Sequence, residues 1–133
     1  MDMVRTVAGA VLVCLAGPAL AQDADAGRER FTTYCATCHG VEARGDGPMA
    51  DILVIAPADL TQLQRRNGGT FPLFRVVRQI DGRDPLLAHG GAMPLYGMMF
   101  PLADTTLKTE TGQPILTSRP IADLAAWLET IQE

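Results

Sequence analysis

The pentapeptide Cys35-Ala36-Thr37-Cys38-His39 restricts the fold of this chain more than any other segment. The pattern C-x-x-C-H is typical of sites where a haem is attached covalently. Two thiols separated by two residues can each add across one vinyl group of a porphyrin, and the histidine that follows then lies under the iron. The sequence therefore predicts one haem c, held through Cys35 and Cys38, with His39 as an axial ligand of the iron.

Residues 1–21 have the composition of a secretory signal peptide. Arg5 supplies positive charge, and an apolar stretch follows it. Ala19-Leu20-Ala21 is a small-x-small cleavage pattern, so we expect cleavage after Ala21 and a mature domain of residues 22–133. The apolar stretch is shorter than the roughly 20 residues that a bilayer-spanning helix needs, which predicts export without stable insertion into a membrane.

The composition excludes one class of function and indicates how the core is completed. The net charge is -4, whereas nucleic-acid binding usually needs a basic surface. Aromatic residues make up only 5% of the chain, so the domain has little large apolar mass of its own. We therefore expect a bound cofactor to complete the core.

Three other interpretations of the cysteines are weaker. A zinc site needs about four ligands, whereas the mature chain has two cysteines and two histidines, and His39 directly follows Cys38. A thioredoxin-like pair follows a strand and opens a helix, but here a predicted helix precedes the motif and a glycine-rich loop follows it. A disulfide between cysteines this close together closes a very small loop, which stabilises a fold only slightly.

Hydrophobic periodicity predicts three amphipathic helices joined by long loops. Asp25 is the expected N-cap of the first helix. The second helix follows Thr70 and ends at Gly82, and the last helix follows Ser118. Residues 105–117 contain a Thr-Gly pair at their centre, which predicts a small hairpin.

Met93 is the expected second axial ligand of the iron. Two glycines lie shortly before it and Pro94 follows it, which makes a stiff loop that can aim one side chain inward. Met98, Met99 and His89 remain alternative ligands, and core packing remains the alternative role for any methionine. A methionine ligand gives the iron a higher reduction potential than a second histidine does.

With these residues, the mature chain resembles the small monohaem class I cytochromes c of bacterial periplasms. Gly27 and Phe31 match a Gly/Phe pair on the N-terminal helix of that family, and Trp127 matches an aromatic residue on its C-terminal helix. The resemblance implies an all-α cytochrome c fold in the periplasm. Three to five short helices are then expected to wrap around one covalently attached haem, with the N- and C-terminal helices crossing.

The resemblance also implies roles for residues around the haem. Gly47-Pro48 matches an element whose proline carbonyl accepts a hydrogen bond from the ring nitrogen of the histidine that does not bind the iron, which orients the ring and raises its basicity. Met93-Pro94 matches the methionine loop of the family, and Tyr96 is expected to pack on the haem edge or hydrogen-bond to it. Residues 100–119 exceed what this loop needs and are expected to form a flap over one haem edge.

An iron with both axial positions filled by protein has no open site for a substrate, which favours one-electron transfer. The expected function is a periplasmic electron carrier rather than an enzyme. Its expected partners are redox proteins, such as a membrane respiratory complex or a periplasmic dehydrogenase. The main alternative is a haem subunit of a periplasmic dehydrogenase or oxidase complex. A haem-based sensor, or a peroxidase-like enzyme with His89 over the iron, would need an open axial site.

Overall fold

A computed structural model describes residues 22–82 and 93–133, and the predicted leader and His89 lie outside these ranges. Five α-helices and one two-stranded hairpin form the described part of the chain, which confirms the predicted mostly helical architecture. The helices are α1 (Ala24–Tyr34), α2 (Ala36–His39), α3 (Leu63–Arg66), α4 (Leu73–Asp81) and α5 (Arg119–Thr130), and the strands are β1 (Thr105–Lys108) and β2 (Pro114–Thr117). Short 3-10 turns occupy Ala50–Ile52, Leu60–Gln62 and Tyr96–Met98.

Helix α1 begins two residues earlier than the sequence suggested. Asp23 is its N-cap, and a carboxylate oxygen of Asp23 accepts a hydrogen bond of 3.0 Å from the Ala26 amide. The prediction of Asp25 as the cap was wrong. Asp25 lies in the first turn instead, where a negative charge interacts favourably with the positive end of the helix dipole.

Helices α1 and α5 cross at a glycine, as the resemblance implied. A Cβ atom on Gly27 would collide with the carbonyl oxygen of Asp123 and would lie 3.0 Å from the Trp127 Cβ. One turn further along α1, the rings of Phe31 and Trp127 pack with their centroids 4.4 Å apart. Because Gly27 has no side chain, the two helix backbones approach closely enough for these rings to form the centre of the core.

A buried carboxylate fastens the same crossing at its edge. Asp123 is only 2% exposed. Its oxygens accept hydrogen bonds from the Asp23 backbone amide at 2.9 Å and from the Arg30 guanidinium at 3.1 Å. The charge is therefore paired, which offsets the cost of removing it from water.

The hairpin predicted near residues 105–117 is present. Strands β1 and β2 are antiparallel, with Thr105 opposite Thr117 and Lys108 opposite Pro114. The turn between them contains Gly112 with a φ of 83°, a backbone conformation that glycine adopts without strain. Leu107 and Thr117 are buried on the inner face of the hairpin.

Two acidic residues of this segment cap helices that lack caps of their own. Glu110, in the hairpin turn, accepts a hydrogen bond of 3.1 Å from the Phe74 amide in the first turn of α4. Asp104, just before β1, accepts one of 2.8 Å from the Arg119 amide at the start of α5. Ser118 is the N-cap residue of α5, but its side chain makes no capping bond. The segment thus satisfies donors at two helix N-termini and holds both helices to the hairpin.

In the two described stretches of the chain, no helix has both the length and the apolarity to cross a membrane.

Candidate haem-attachment site

The C-x-x-C-H motif forms a single tight helical turn. Cys35 separates α1 from α2, and its carbonyl accepts hydrogen bonds from the Cys38 amide at 3.1 Å and from the His39 amide at 2.9 Å. Cys35 and Cys38 form no disulfide with each other, and both side chains are half-buried. The compact turn holds the two thiols and the imidazole on one short piece of backbone, anchored to the core through Phe31 on α1.

The glycine-rich loop after the motif covers the C-terminal end of α2. Three backbone hydrogen bonds make this contact, from Gly45 N to His39 O (2.8 Å), from Gly47 N to Cys38 O (3.1 Å) and from Met49 N to Thr37 O (3.0 Å). A Cβ atom on Gly47 would lie within 2.6 Å of the Cys38 carbonyl group. Gly47 is therefore required for close approach, and the loop satisfies carbonyls that end the helix.

The ring of His39 is oriented by the backbone carbonyl of Ala58, a residue that no sequence pattern indicated. The Nδ1 atom of His39 lies 3.1 Å from the carbonyl oxygen of Ala58. Pro48 was expected to supply this carbonyl, but the loop around Pro48 lies against the backbone of α2, and the chain returns to the ring later, at Ala58. With Nδ1 donating to Ala58, Nε2 is the ring nitrogen left for a metal.

Burial shifts the ionisation of two groups of the motif. It lowers the pKa of His39, and the hydrogen bond to Ala58 opposes this shift only in part. The imidazole is thus neutral at pH 7, the form that binds a metal. Burial, assisted by the nearby Cys38, raises the pKa of the Cys35 thiol to about 11. A thioredoxin-like pair needs a lowered thiol pKa, so this environment argues against that alternative.

The last two residues of the chain, Gln132 and Glu133, fasten the segment that follows Ala58. We call them the C-terminal clasp. Three hydrogen bonds form it, from Gln132 Nε2 to Leu60 O (2.8 Å), from Gln64 N to Gln132 Oε1 (2.8 Å) and from Glu133 N to Thr61 O (2.9 Å). The Glu133 carboxylate also accepts hydrogen bonds from Arg44, in the glycine-rich loop. The clasp therefore connects the end of α5 to the backbone just after Ala58 and to the Arg44 side chain in the loop before it.

The three methionines considered as iron ligands differ in their surroundings. Met93 is partly buried and packs against the core, and its sulfur lies 4.0 Å from Nε2 of Gln79 on α4. Met98 and Met99 are 86% and 54% exposed. The fourth candidate, His89, lies outside the described residues.

Tyr96 lies beside the turn that residues 35–39 form, which we call the attachment turn. It is buried, and its hydroxyl donates a hydrogen bond of 2.7 Å to the carbonyl oxygen of Tyr34, the residue before Cys35. The rings of Tyr34 and Phe100 pack edge to face with their centroids 5.8 Å apart. Burial, with smaller contributions from the two cysteines, raises the pKa of Tyr96. The hydroxyl proton is directed at the Tyr34 carbonyl, and the expected role of Tyr96 at the haem edge stays a prediction.

We expect Tyr96→Phe to lower the free energy of unfolding by about 1 kcal/mol, because the variant loses one buried hydrogen bond while the ring stays in place. Tyr34→Phe is the matched control, since it removes a hydroxyl from the same aromatic cluster but leaves the Tyr34 carbonyl intact. Denaturant unfolding followed by circular dichroism measures both. Equal stability of the two variants would contradict the role assigned to the Tyr96 hydroxyl.

The chemistry of the donor set fits a haem c. Two thiols lie two residues apart in one turn, and the adjacent neutral imidazole has Nε2 available for iron. The Met93 thioether, in the second described part of the chain, is of the ligand type that raises reduction potential. The set matches what covalent attachment and axial ligation of a haem require.

The family model described as cytochrome c matches residues 24–132. Searches of curated proteins and of solved structures each found no significant match. The family match covers α1, the attachment turn, Met93 and α5.

Proposed function

This chain belongs to the cytochrome c family, and we propose that it is a periplasmic one-electron carrier in which His39 and Met93 hold the iron. Proteins of this family transfer electrons and are not enzymes in their own right. Its cofactor is one haem c, bound covalently through Cys35 and Cys38. When bound, the haem supplies the one-electron couple. The residues around it determine how firmly the iron ligands are held and how exposed the site is to water.

The observation that carries the proposal is the support of His39. The Ala58 carbonyl engages Nδ1 and so fixes the tautomer and the direction of the ring. The C-terminal clasp, Gln132 and Glu133, restrains the backbone that follows Ala58. A ligand held in this way changes little in position between oxidation states, and small rearrangement favours rapid electron exchange.

The assignment of Met93 is supported by burial and by its loop. Met93 is the methionine of the three that packs against the core, while Met98 and Met99 project towards solvent. Pro94 follows Met93 and limits the backbone at that point. A side chain that packs against the core needs little further ordering to reach an iron.

The periplasmic location is supported by residues 1–21, whose sequence has the features of a cleaved leader. Haem attachment to C-x-x-C-H is likewise suited to an exported chain. Family members exchange electrons with redox proteins. We propose that the partner here is a membrane respiratory complex or a periplasmic dehydrogenase.

We expect Met93→Ala to abolish the weak far-red absorption band that ferric haem shows when a methionine sulfur binds the iron. The measurement is the optical spectrum of the haem-loaded, oxidised protein. Met98→Ala is the matched control, because it removes an exposed methionine five positions away, and its spectrum should keep the band. A parent protein without the band, or a band that survives in Met93→Ala, would refute ligation by Met93.

A further inference from the structure

The Ala58 carbonyl, which orients the imidazole of the attachment turn, lies on an irregular piece of chain. Residues 53–59 form neither helix nor strand, so the position of this carbonyl depends on what anchors the segment. On one side the segment packs on the glycine-rich loop. The Leu60 amide donates a hydrogen bond of 2.8 Å to the Ala43 carbonyl, and a Cβ atom on Gly45 would lie only 3.2 Å from the Ala58 carbonyl group.

Gln132 anchors the other side of the same segment. Its Nε2 atom donates hydrogen bonds to the carbonyl oxygens of Leu60 at 2.8 Å and of Leu128, on α5, at 2.6 Å. Its Oε1 atom accepts a hydrogen bond of 2.8 Å from the Gln64 amide. A side-chain amide has two N–H donors and one acceptor oxygen, and all three groups are engaged here. One side chain therefore joins α5 to the backbone that directly follows Ala58.

Helix α5 gives this anchor a fixed position. Leu124 and Leu128 on its inner face are 2% and 4% exposed, and the helix crosses α1 at close range. The ring of His39 follows directly after α1, whereas the Ala58 carbonyl is held by Gln132 directly after α5. The distance between ring and carbonyl is therefore set by a buried helix crossing and not by the irregular segment alone.

We propose that Gln132 is a positioning residue for His39 and lowers the reduction potential of the haem. The inference rests on the proposed ligation of iron by His39. A carbonyl that accepts the Nδ1–H of an imidazole raises the electron density of the ring, so that Nε2 becomes a stronger donor to the metal. A stronger donor favours the ferric ion, because that ion carries the higher charge. Gln132 maintains this effect by holding the Ala58 carbonyl 3.1 Å from Nδ1.

The sign of a change in potential separates positioning from general loosening of the fold. Loss of positioning weakens donation from the ring to the iron, which destabilises the ferric state and raises the potential. A loosened fold exposes the haem to water, which stabilises the more highly charged ferric site and lowers the potential. A rise in potential after removal of the Gln132 amide is therefore the result that only the positioning role produces.

The experiment compares the haem-loaded parent protein with Gln132→Leu, which nearly preserves the size of the side chain but removes its three hydrogen bonds. We expect the equilibrium constant for reduction to rise about threefold, which is about 28 mV at 59 mV per tenfold change for one electron. In proton NMR of the ferric protein, the Nδ1 proton of His39 should exchange with solvent about tenfold faster, because local opening at Ala58 becomes easier.

Gln113→Leu is the matched control, because it makes the same substitution at an exposed position beside the hairpin turn. Its potential and its exchange rate should equal those of the parent. A higher potential together with faster exchange in Gln132→Leu alone supports the proposal.

The NMR spectrum of the ferric parent separates failure of this proposal from failure of the ligand assignment. A parent whose His39 ring protons lack the large paramagnetic shift of an iron ligand refutes both ligation by His39 and the role of Gln132. If the shift is present but Gln132→Leu has the parent's potential and exchange rate, the role of Gln132 is refuted and ligation by His39 stands. A lower potential in Gln132→Leu also overturns the proposal, since it indicates entry of water.

Discussion

Replacing both Cys35 and Cys38 with alanine is expected to reduce the covalently bound haem from one per chain to none. Each thioether forms when a cysteine S–H adds across a vinyl group, so the double variant has no atom that can make the bond. The cofactor would remain only through axial ligation and burial, and denaturation would release it. This is the largest change that we expect from any substitution at the site.

Covalent attachment is detected as haem that stays with the chain on a denaturing gel. The amount of haem per chain is then measured from the absorbance of its reduced pyridine complex. Thr37→Ala is the matched control, because Thr37 is exposed within the same motif and its replacement leaves C-x-x-C-H intact. That variant should retain the parent's haem content. Haem that remains on the denatured double variant would disprove attachment through these cysteines.

The second large effect is on stability. We expect Gly27→Ala to lower the free energy of unfolding of the haem-loaded protein by at least about 2 kcal/mol. The added methyl group would collide with the Asp123 carbonyl oxygen, so α1 and α5 would have to separate. Separation would also loosen the contact between the Phe31 and Trp127 rings.

Unfolding in denaturant, followed by circular dichroism, measures this loss. Glu29→Ala is the control on the same helix, because Glu29 is exposed and should change stability by no more than about 0.5 kcal/mol. A Gly27→Ala protein as stable as the control would show that the helices can separate at no cost. The close approach at Gly27 would then not be needed for the fold.

The features that the sequence predicted correctly are those encoded within a few residues or by a regular period. The C-x-x-C-H motif is contiguous, and the apolar stripes of α4 and α5 repeat at the spacing of a helix. Thr111-Gly112 similarly indicated the hairpin turn. The crossing of Gly27 and Phe31 with Trp127 is a long-range contact, and it was predicted only through the resemblance to a family.

The features that the sequence did not predict depend on contacts between distant parts of the chain. Ala58 contacts His39 from 19 positions away, through a backbone carbonyl that no residue type signals. Glu110 caps α4 from 36 positions away, and Gln79 is 14 positions from Met93. An acid or an amide in a surface segment is usually solvated, so nothing local distinguished these residues from their neighbours.

The crossing of the first and last helices also determines the order in which the molecule can assemble. Asp23 and Asp123 are hydrogen-bonded although they are 100 positions apart. Contacts between such distant residues form slowly, because the chain must close a long loop before any stabilising contact is made. The attachment turn directly follows α1, whereas α5 begins 80 positions after His39, at Arg119. We therefore expect haem to reach the cysteines before α1 and α5 pack together, so that the core closes around a cofactor already attached.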